Sequence, residues 1–430
     1  MENNYIYRVK SIWTNFCRFA LAAVFIFSGF IKANDPLGTC YKVEDYLQAF
    51  GLLDYVPEFL PLFGSVLLAV IEFTLGVFLF FGIRRKLTTI SLFGFMLIMT
   101  PFTLYLAIMN PVSDCGCFGD AIILTNWETF WKNVFFLIAA FSLFKWSGLM
   151  IRIISKKSQW LISLYTLLYI SAIALYCLSY LPIFDFRPYH IGANILESMR
   201  IPEGKKPSVY ESLFVMEKNG EQKEFTLENY PDSTWTFVDT KTILKEKGYE
   251  PPIHDFSLYY AETGEDITER ILTDKGYTFL LVTNRLDKAD DGYIDLINEI
   301  YDYSVENGYA FYCLTSSLNE DMEQWRERTG AEYPYCTADN TTLKTIIRSN
   351  PGLLLIKDGT IANKWSCRNL PDEYDLSGKL EHLSLAQVKP QTLQNKILIV
   401  VAWFAIPLLL FTFLDKTLID LSLIHISEPT

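Results

Sequence analysis

The sequence predicts a membrane α-helical bundle, a four-helix core with two further spans, carrying an outward α/β domain. Composition comes first: over 430 residues, 50% are hydrophobic, 15% are aromatic and the mean hydropathy is +0.19, which is too apolar for an ordinary soluble enzyme. Second, apolar runs recur, each near the ~20 residues that a helix needs to cross hydrocarbon. Third, the polar second half alternates strand-like and helix-like segments, the pattern of a layered α/β domain.

The first apolar run, Phe19 to Ile31, follows Arg8, Lys10 and Arg18 and has no small-residue cleavage site, so it is expected to be a retained signal anchor. Further runs lie at Leu62 to Phe81, Leu87 to Met109, Phe130 to Phe144, Trp160 to Leu181 and Ile397 to Phe413. The fourth is short and is extended at its start by the aromatic-rich NWETFW, an interfacial belt. Arg84, Arg85 and Lys86 flank one connection, and Lys145, Arg152, Lys156 and Lys157 another. By the positive-inside rule these face the cytoplasm. The opposite loops, Lys32 to Pro61 and Asn110 to Glu128, are acidic and face outward, as does the polar region after the fifth span. The expected location is the inner membrane of a bacterium, with the soluble part in the periplasm and the lipid bilayer as the first partner. A net charge of −12 excludes a nucleic-acid partner, which needs fields of Lys and Arg.

In the polar half, Asn219-Gly220 between alternating runs signals a hairpin. TFLLVTN, GYIDLINEIYDYSVENG, YAFYCLTSS and LNEDMEQWRERTG read as strand, helix, strand, helix, with Gly308 and Gly330 ending the helices. A short helix TTLKTIIRS and a hairpin turning at Asp358-Gly359 follow. This is the element order of a thioredoxin-like fold. The chain thus divides into 1–148, a four-helix membrane unit; 149–182, a fifth span; 183–250, a β-rich linker; 251–390, the α/β domain; 391–420, a sixth span; and 421–430. The last, LSLIHISEPT, continues no pattern, resembles a translated sequencing-adapter read-through and is expected to be non-native.

The candidate chemistry lies in DCGCFGD. Cys115 and Cys117, bracketed by Asp114 and Asp120, sit in an outward loop, where disulfides form. Closely spaced thiols suit exchange, with Cys40 in the other outer loop as a candidate resolving thiol. A permanent bridge from Cys40 that pins the two loops together fits the same location. No fourth ligand and no His accompany these thiols, so no metal is expected. Glu72, mid-span, is a functional-site candidate by default, either paired with Lys32, acting in proton transfer or simply bonding a neighbouring helix. Cys17, Cys177 and Cys313 read as packed apolar residues, and Cys336 with Cys367 as a possible domain disulfide. The isolated His190, His254 and His382 give no hydrolase, and one intramembrane acid without a repeat gives no transporter pathway.

SGFIKANDPLG, Glu72 followed by LGVFLFFGIRRK, DCGCFGD and TFWKNVFF together resemble the DoxX and MauE-like (methylamine utilisation protein E) membrane proteins. That resemblance implies disulfide formation or quinone-coupled sulfur redox chemistry, with a quinone as cofactor and a periplasmic thiol protein as client. The outer domain resembles peroxiredoxin and TlpA-type domains: HDFSL with its acidic-Gly turn opens it, and SNPGLLLIKDGTI would place Pro351 as the cis-proline. Its departure is the loop TNRLDKADDG, where the family carries C-x-x-C and this chain has no cysteine. Two functions follow as expectations: a membrane thiol-disulfide or quinone-linked relay, or a non-catalytic assembly protein whose thioredoxin-like domain docks a client.

Overall fold

The computed structural model describes residues 2–112, 114–218, 221–226, 229, 235–246, 248–254, 256–388 and 393–427. The membrane part is built from α1 (Glu2–Asn34), α3 (Phe59–Phe81), α4 (Arg85–Met109), α5 (Asn126–Lys145) and α6 (Gln159–Ser179), with a short α2 (Pro36–Ala49) between the first two. The helix α12 (Leu393–Ser427) returns along α6 after the outer domain. Five of these, α1, α3, α4, α6 and α12, are long and apolar enough to cross a membrane. This makes a multi-pass membrane protein. The sixth, α5, is 20 residues long, ~30 Å at helical rise, but Lys132 and Asn133 lower its apolarity. Both side chains point into the bundle, where they line a cavity.

The centre of the bundle is the α1–α3 crossing, which is unusually tight. A Cβ on Gly29 would lie 2.3 Å from the Phe73 nitrogen, and one on Gly76 would lie 2.6 Å from that of Ile26. With Ala22 and Ala69 fully buried at the same crossing, small residues bring two backbones together, as is general where lipid offers no hydrophobic drive. This approach lets Lys32 reach Glu72. At the other end, the buried Arg18 donates to the carbonyls of Leu79, Phe80 and Ile151, supplying partners that the end of α3 lacks.

Much of the outer loop Lys32 to Pro61 is helical, as α2. Asp35 caps α2 by accepting from the Gly38 N–H, with Pro36 in the first turn; Pro is tolerated there because that N–H is unpaired in any case.

The outer domain comprises α7 (Ile195–Met199), β1 (Val209–Lys218), β2 (Glu221–Thr226), β3 (Thr236–Glu246), β4 (Tyr259–Tyr260), α8 (Thr268–Leu272), β5 (Tyr277–Thr283), α9 (Ile294–Asn307), β6 (Ala310–Thr315), α10 (Asn319–Thr329), β7 (Tyr335–Thr337), α11 (Asn340–Ile346), β8 (Gly352–Lys357) and β9 (Thr360–Ser366). Strands β1 to β3 form a separate antiparallel sheet in the order β2-β1-β3. Lys218 pairs with Glu221, the register of the expected hairpin; its turn residues Asn219 and Gly220 lie outside the described residues. The main sheet runs β4-β7-β6-β5-β8-β9, with β5, β6 and β7 parallel and β8 and β9 antiparallel. That is a thioredoxin-like sheet, and the Asn350–Pro351 bond is cis. Alternate residues of β5 serve two cores. Phe279 and Leu281 pack with α9 and α10; Leu280 and Val282 pack with Phe256, α8 and α11, as strand pleating requires.

Residues 184–199, assigned from sequence to the β-rich linker, instead line the edge of the main sheet. Gly192 donates to the Ile361 carbonyl, and Tyr189 and Ile195 are buried in the core beside Phe256. The buried Lys364 ties this segment down, donating to Asp185 (2.9 Å) and to the carbonyls of Tyr189 (3.0 Å) and Ile346 (2.6 Å). The expected Cys336–Cys367 disulfide is excluded by the same sheet. Cys336, Leu314, Val282, Gly352 and Ser366 form one continuous row across five strands. Cys367 is therefore about 19 Å away at ~4.8 Å per strand, far beyond the ~7 Å Cα limit of a disulfide.

Lys364→Met leaves two carbonyls without their donor while Asp185 keeps Arg187 at 2.7 Å, and the fold is expected to lose about 1–3 kcal/mol, the typical cost of leaving a buried polar group unsatisfied. A lowered thermal midpoint of the detergent-solubilised full chain would register it, and an unchanged midpoint would contradict this role.

Candidate functional site: a dithiol loop over a buried ion pair

DCGCFGD lies at the outer end of the bundle, between α4 and α5, where the backbone turns on itself. Asp114 Oδ1 accepts from the Gly116 N–H at 2.9 Å, and Gly119 N–H donates to the Gly116 carbonyl at 3.1 Å. Gly116 has φ +63, a conformation that costs a side-chain-bearing residue energy. Two protein groups hold the cysteines by their carbonyls. Tyr46 of α2 donates its hydroxyl to the Cys115 carbonyl at 2.7 Å, and Lys32 of α1 donates to the Cys117 carbonyl at 2.8 Å.

Lys32 is the organising cation. Its three N–H groups are all used, on Ser28 Oγ (2.7 Å), Glu72 Oε2 (2.8 Å) and the Cys117 carbonyl. Both charged side chains of the pair are only 6% exposed. Ser28 Oγ stands 2.7 Å from Glu72 Oε2 and 2.8 Å from the Cys117 carbonyl, so its single proton serves one or the other. Of the candidates named from sequence, Cys115, Cys117, Lys32 and Glu72 thus meet in one cluster. Asp114 belongs to its rim, paired with Lys42 at 2.8 Å.

Cys115 is buried, and its S–H donates to Cys117. That hydrogen bond lowers the Cys117 thiol below the ordinary thiol range despite burial, with Lys132 and Lys32 adding in the same direction. The same bond, with burial, pushes Cys115 well above the ordinary thiol range. One sulfur is therefore poised as a thiolate and the other as its proton donor, the division of labour that thiol exchange requires.

Both thiols line a cavity of about 230 Å³ that opens into the bundle. Its walls are apolar and aromatic, including Phe25, Phe95, Met96, Phe102 and Phe136, while Lys132 and Asn133 add polar atoms, the Asn133 amide donating to Thr103 Oγ1 at 3.2 Å. Lys132 Nζ stands 4.2 Å from the centre of the Phe118 ring, a cation–π distance, and has no carboxylate partner among the described residues. Lys132, Asn133, Ser28 and Tyr46 were not recognised from sequence. The available signal was a Lys-Asn pair about two turns into α5, where the helix becomes apolar.

Cys40 occupies a different place from the resolving or pinning position expected of it. Thr39, Lys42, Val43 and Tyr46 of α2 line the thiol cavity, and Cys40 is not among its lining residues. Its Sγ lies 3.7 Å from Glu44 Oε1, and burial together with Glu44 pushes its thiol up to about 12. A helix turns 100° per residue, which carries Cys40 off the face that Thr39 and Val43 share.

The outer domain covers this loop. Arg348, 7% exposed, forms ion pairs with Asp35 at 3.0 Å and Asp120 at 3.6 Å, and Lys344 of α11 reaches Glu44 at 3.8 Å. Both cations stack over Tyr41, at 4.3 Å for Lys344 and 5.3 Å for Arg348. Burial raises the Asp120 carboxyl against the pull of Arg348. Lys288, in the loop where relatives carry their cysteines, pairs with Glu58 of the membrane unit. A second cavity, of about 240 Å³, lies under Arg348 and shares Thr39, Lys42 and Gly116 with the first, but neither sulfur lines it.

A multi-pass helix bundle with a dithiol loop over a buried Lys–Glu pair, joined to a thioredoxin-like domain without its usual cysteines, defines the class of protein. Comparison adds a likeness: residues 10–145 match the model of methylamine utilisation protein MauE. Residues 210–247 match a domain of unknown function, DUF8463, which corresponds to the three-stranded sheet. No curated protein matches the chain. Among solved structures, the outer domain is similar to a candidate protein disulfide isomerase from Bacteroides thetaiotaomicron, with 16% identity, 27% of this chain and 77% of that one covered, and a TM-score of 0.23. It is also similar to an uncharacterised conserved protein from Geobacillus kaustophilus, with 14% identity, 32% and 82% covered, and a TM-score of 0.25. The thioredoxin-like assignment stands on the sheet order given above.

Alkylation of Cys117 should follow thiolate formation and reach half its maximal rate at a pH below that of an ordinary thiol, because only the thiolate is nucleophilic. Cys115→Ala removes the donor and should shift that midpoint upward. An unchanged midpoint in the variant would break the link between the two sulfurs.

Proposed function

We propose that the protein is a membrane thiol-disulfide oxidoreductase in which Cys115 and Cys117 pass electrons from thiols outside the membrane to a quinone in the bundle. The observation that carries this reading is the orientation of the pair: both sulfurs line an apolar, aromatic-walled cavity inside the bundle, beside a cation. A quinone bound there would accept the two electrons and two protons released as the dithiol becomes a disulfide. The fit lies in the lining, with flat apolar walls for a ring and Lys132 and Asn133 to donate to its oxygens, the mix of apolar walls and few polar groups usual in such sites.

The chain's own residues do the rest. Cys117 supplies the thiolate, and Cys115 holds the second proton until the S–S bond forms. Lys132 places positive charge where negative charge builds up. Lys32 and Ser28 hold the loop by the Cys117 carbonyl, and Glu72 balances the charge of Lys32. In the second half-reaction a dithiol outside attacks the Cys115–Cys117 disulfide, becomes a disulfide itself, and returns the pair to thiols. Asymmetry of Lys and Arg supports placing the loop on the periplasmic side of a bacterial inner membrane. The competing reading, in which the thioredoxin-like domain docks an external client, is disfavoured because Arg348 and Lys288 of that domain are committed to Asp35, Asp120 and Glu58 of its own membrane unit.

With the full chain in nanodiscs and a short-chain quinone as acceptor, quinone reduction on addition of a dithiol should be abolished by Cys117→Ala and by Cys115→Ala. Lys132→Met should slow it by about ten- to a hundredfold, the effect of losing one charge-assisted contact of about 1.5–3 kcal/mol. Full activity in Cys117→Ala would overturn the proposal.

A further inference from the structure

We propose that the membrane face opposite the dithiol loop carries a binding site for the phosphate of an anionic phospholipid. Three consecutive cations, Arg84, Arg85 and Lys86, follow the end of α3, and Arg152 arrives from the separate connection between α5 and α6. All four line one concavity of about 470 Å³, with Ser147 at its wall. Among the described residues none of them has a carboxylate partner. The buried acid on this side, Asp415, is already taken by the Ser155 amide and the hydroxyls of Ser155 and Ser158.

Like charges at such separations repel, yet here they are held together. Arg85 is fixed by donating to the carbonyls of Gly148 and Met150, which draws the two connections against each other. Orientation by positive charge requires only that cations flank the spans; it does not require two connections about sixty residues apart to converge on one hollow. An anion with several acceptor oxygens fits that hollow, and phosphate is the anion that arginine clusters match best.

Position selects a lipid over a soluble phosphate. The hollow opens at the first turn of α4, a membrane-crossing helix, and beside it Leu87 and Ile151 are 56% and 60% exposed. Those side chains would meet acyl chains while the cations meet the headgroup, the arrangement of basic interhelical lipid sites. This site lies at the far end of the spans from the thiols and does not depend on the redox reading.

Native mass spectrometry of the full chain, released from micelles containing equal amounts of phosphatidylglycerol and phosphatidylethanolamine, tests it. Retained phosphatidylglycerol should exceed phosphatidylethanolamine at least tenfold, and R84Q/R152Q should abolish that excess. The side chains of Arg84 and Arg152 donate to no protein acceptor among the described hydrogen bonds, so the double variant should keep the wild-type thermal midpoint, which is measured alongside. R8Q/K10Q, which removes cations outside the hollow, should retain the preference. Equal retention by wild type and R84Q/R152Q would overturn the proposal, as would complete displacement of the lipid by millimolar inorganic phosphate, which marks a soluble-phosphate site. If R84Q/R152Q lowers the midpoint, K86Q alone decides the matter: a reduced preference supports the site and an unchanged one rejects it.

Discussion

The buried Lys32–Glu72 pair is the contact on which the outer end of the molecule depends. A charge pair in a helix bundle is costly to desolvate and is retained only when its remaining donors and acceptors are met. Here they are met by the loop above it: the third proton of Lys32 goes to the Cys117 carbonyl. The pair therefore fixes the cysteine loop as well as the two helices. It forms because Gly29 and Gly76 let α1 and α3 approach closely. Small residues deep in the bundle and thiols at its surface are thus parts of one construction.

The outer domain has kept the sheet of a thioredoxin and changed its use. Its parallel strands, antiparallel pair and cis-proline are present, while the loop after β5 offers Lys288 to Glu58 where relatives offer cysteine. Arg348, just before the cis-proline, is spent on Asp35 and Asp120. That face meets the chain's own membrane unit. Lys344 and Arg348 over Tyr41 make that contact wide enough to position α11 above α2.

Much of this was legible in the sequence, for reasons that can be named. Apolar runs locate helices because the bilayer sets their length, and Gly308 and Gly330 end α9 and α10 in the left-handed conformation at the expected points. Glu72 stood out because a carboxyl within an apolar run has few reasons to be there, and Lys32 was its nearest cation by span register. Other features were hidden. The helix α2 escaped notice because its signal is a cap, Asp35-Pro36, rather than a long period. Lys132 and Asn133 lie inside the short span Phe130 to Phe144 and drew no attention, because sequence does not say which face of a helix meets a cavity. The Cys336–Cys367 disulfide failed because pairing depends on strand order, which places four strand spacings between residues only about thirty apart in the chain. Cys40 shared a compartment with the pair, but helical phase, invisible to a compartment-level reading, directs it to Glu44.

Gly116 forms part of both cavities, with the sulfurs on the bundle side and the polar hollow under Arg348 on the other. The partition there is made by the Gly116 backbone together with Thr39 and Lys42 of α2, which line both cavities. On the proposed function, this makes the two half-reactions take turns. A thiol arriving on the Arg348 side would meet the backbone of the loop before it met sulfur.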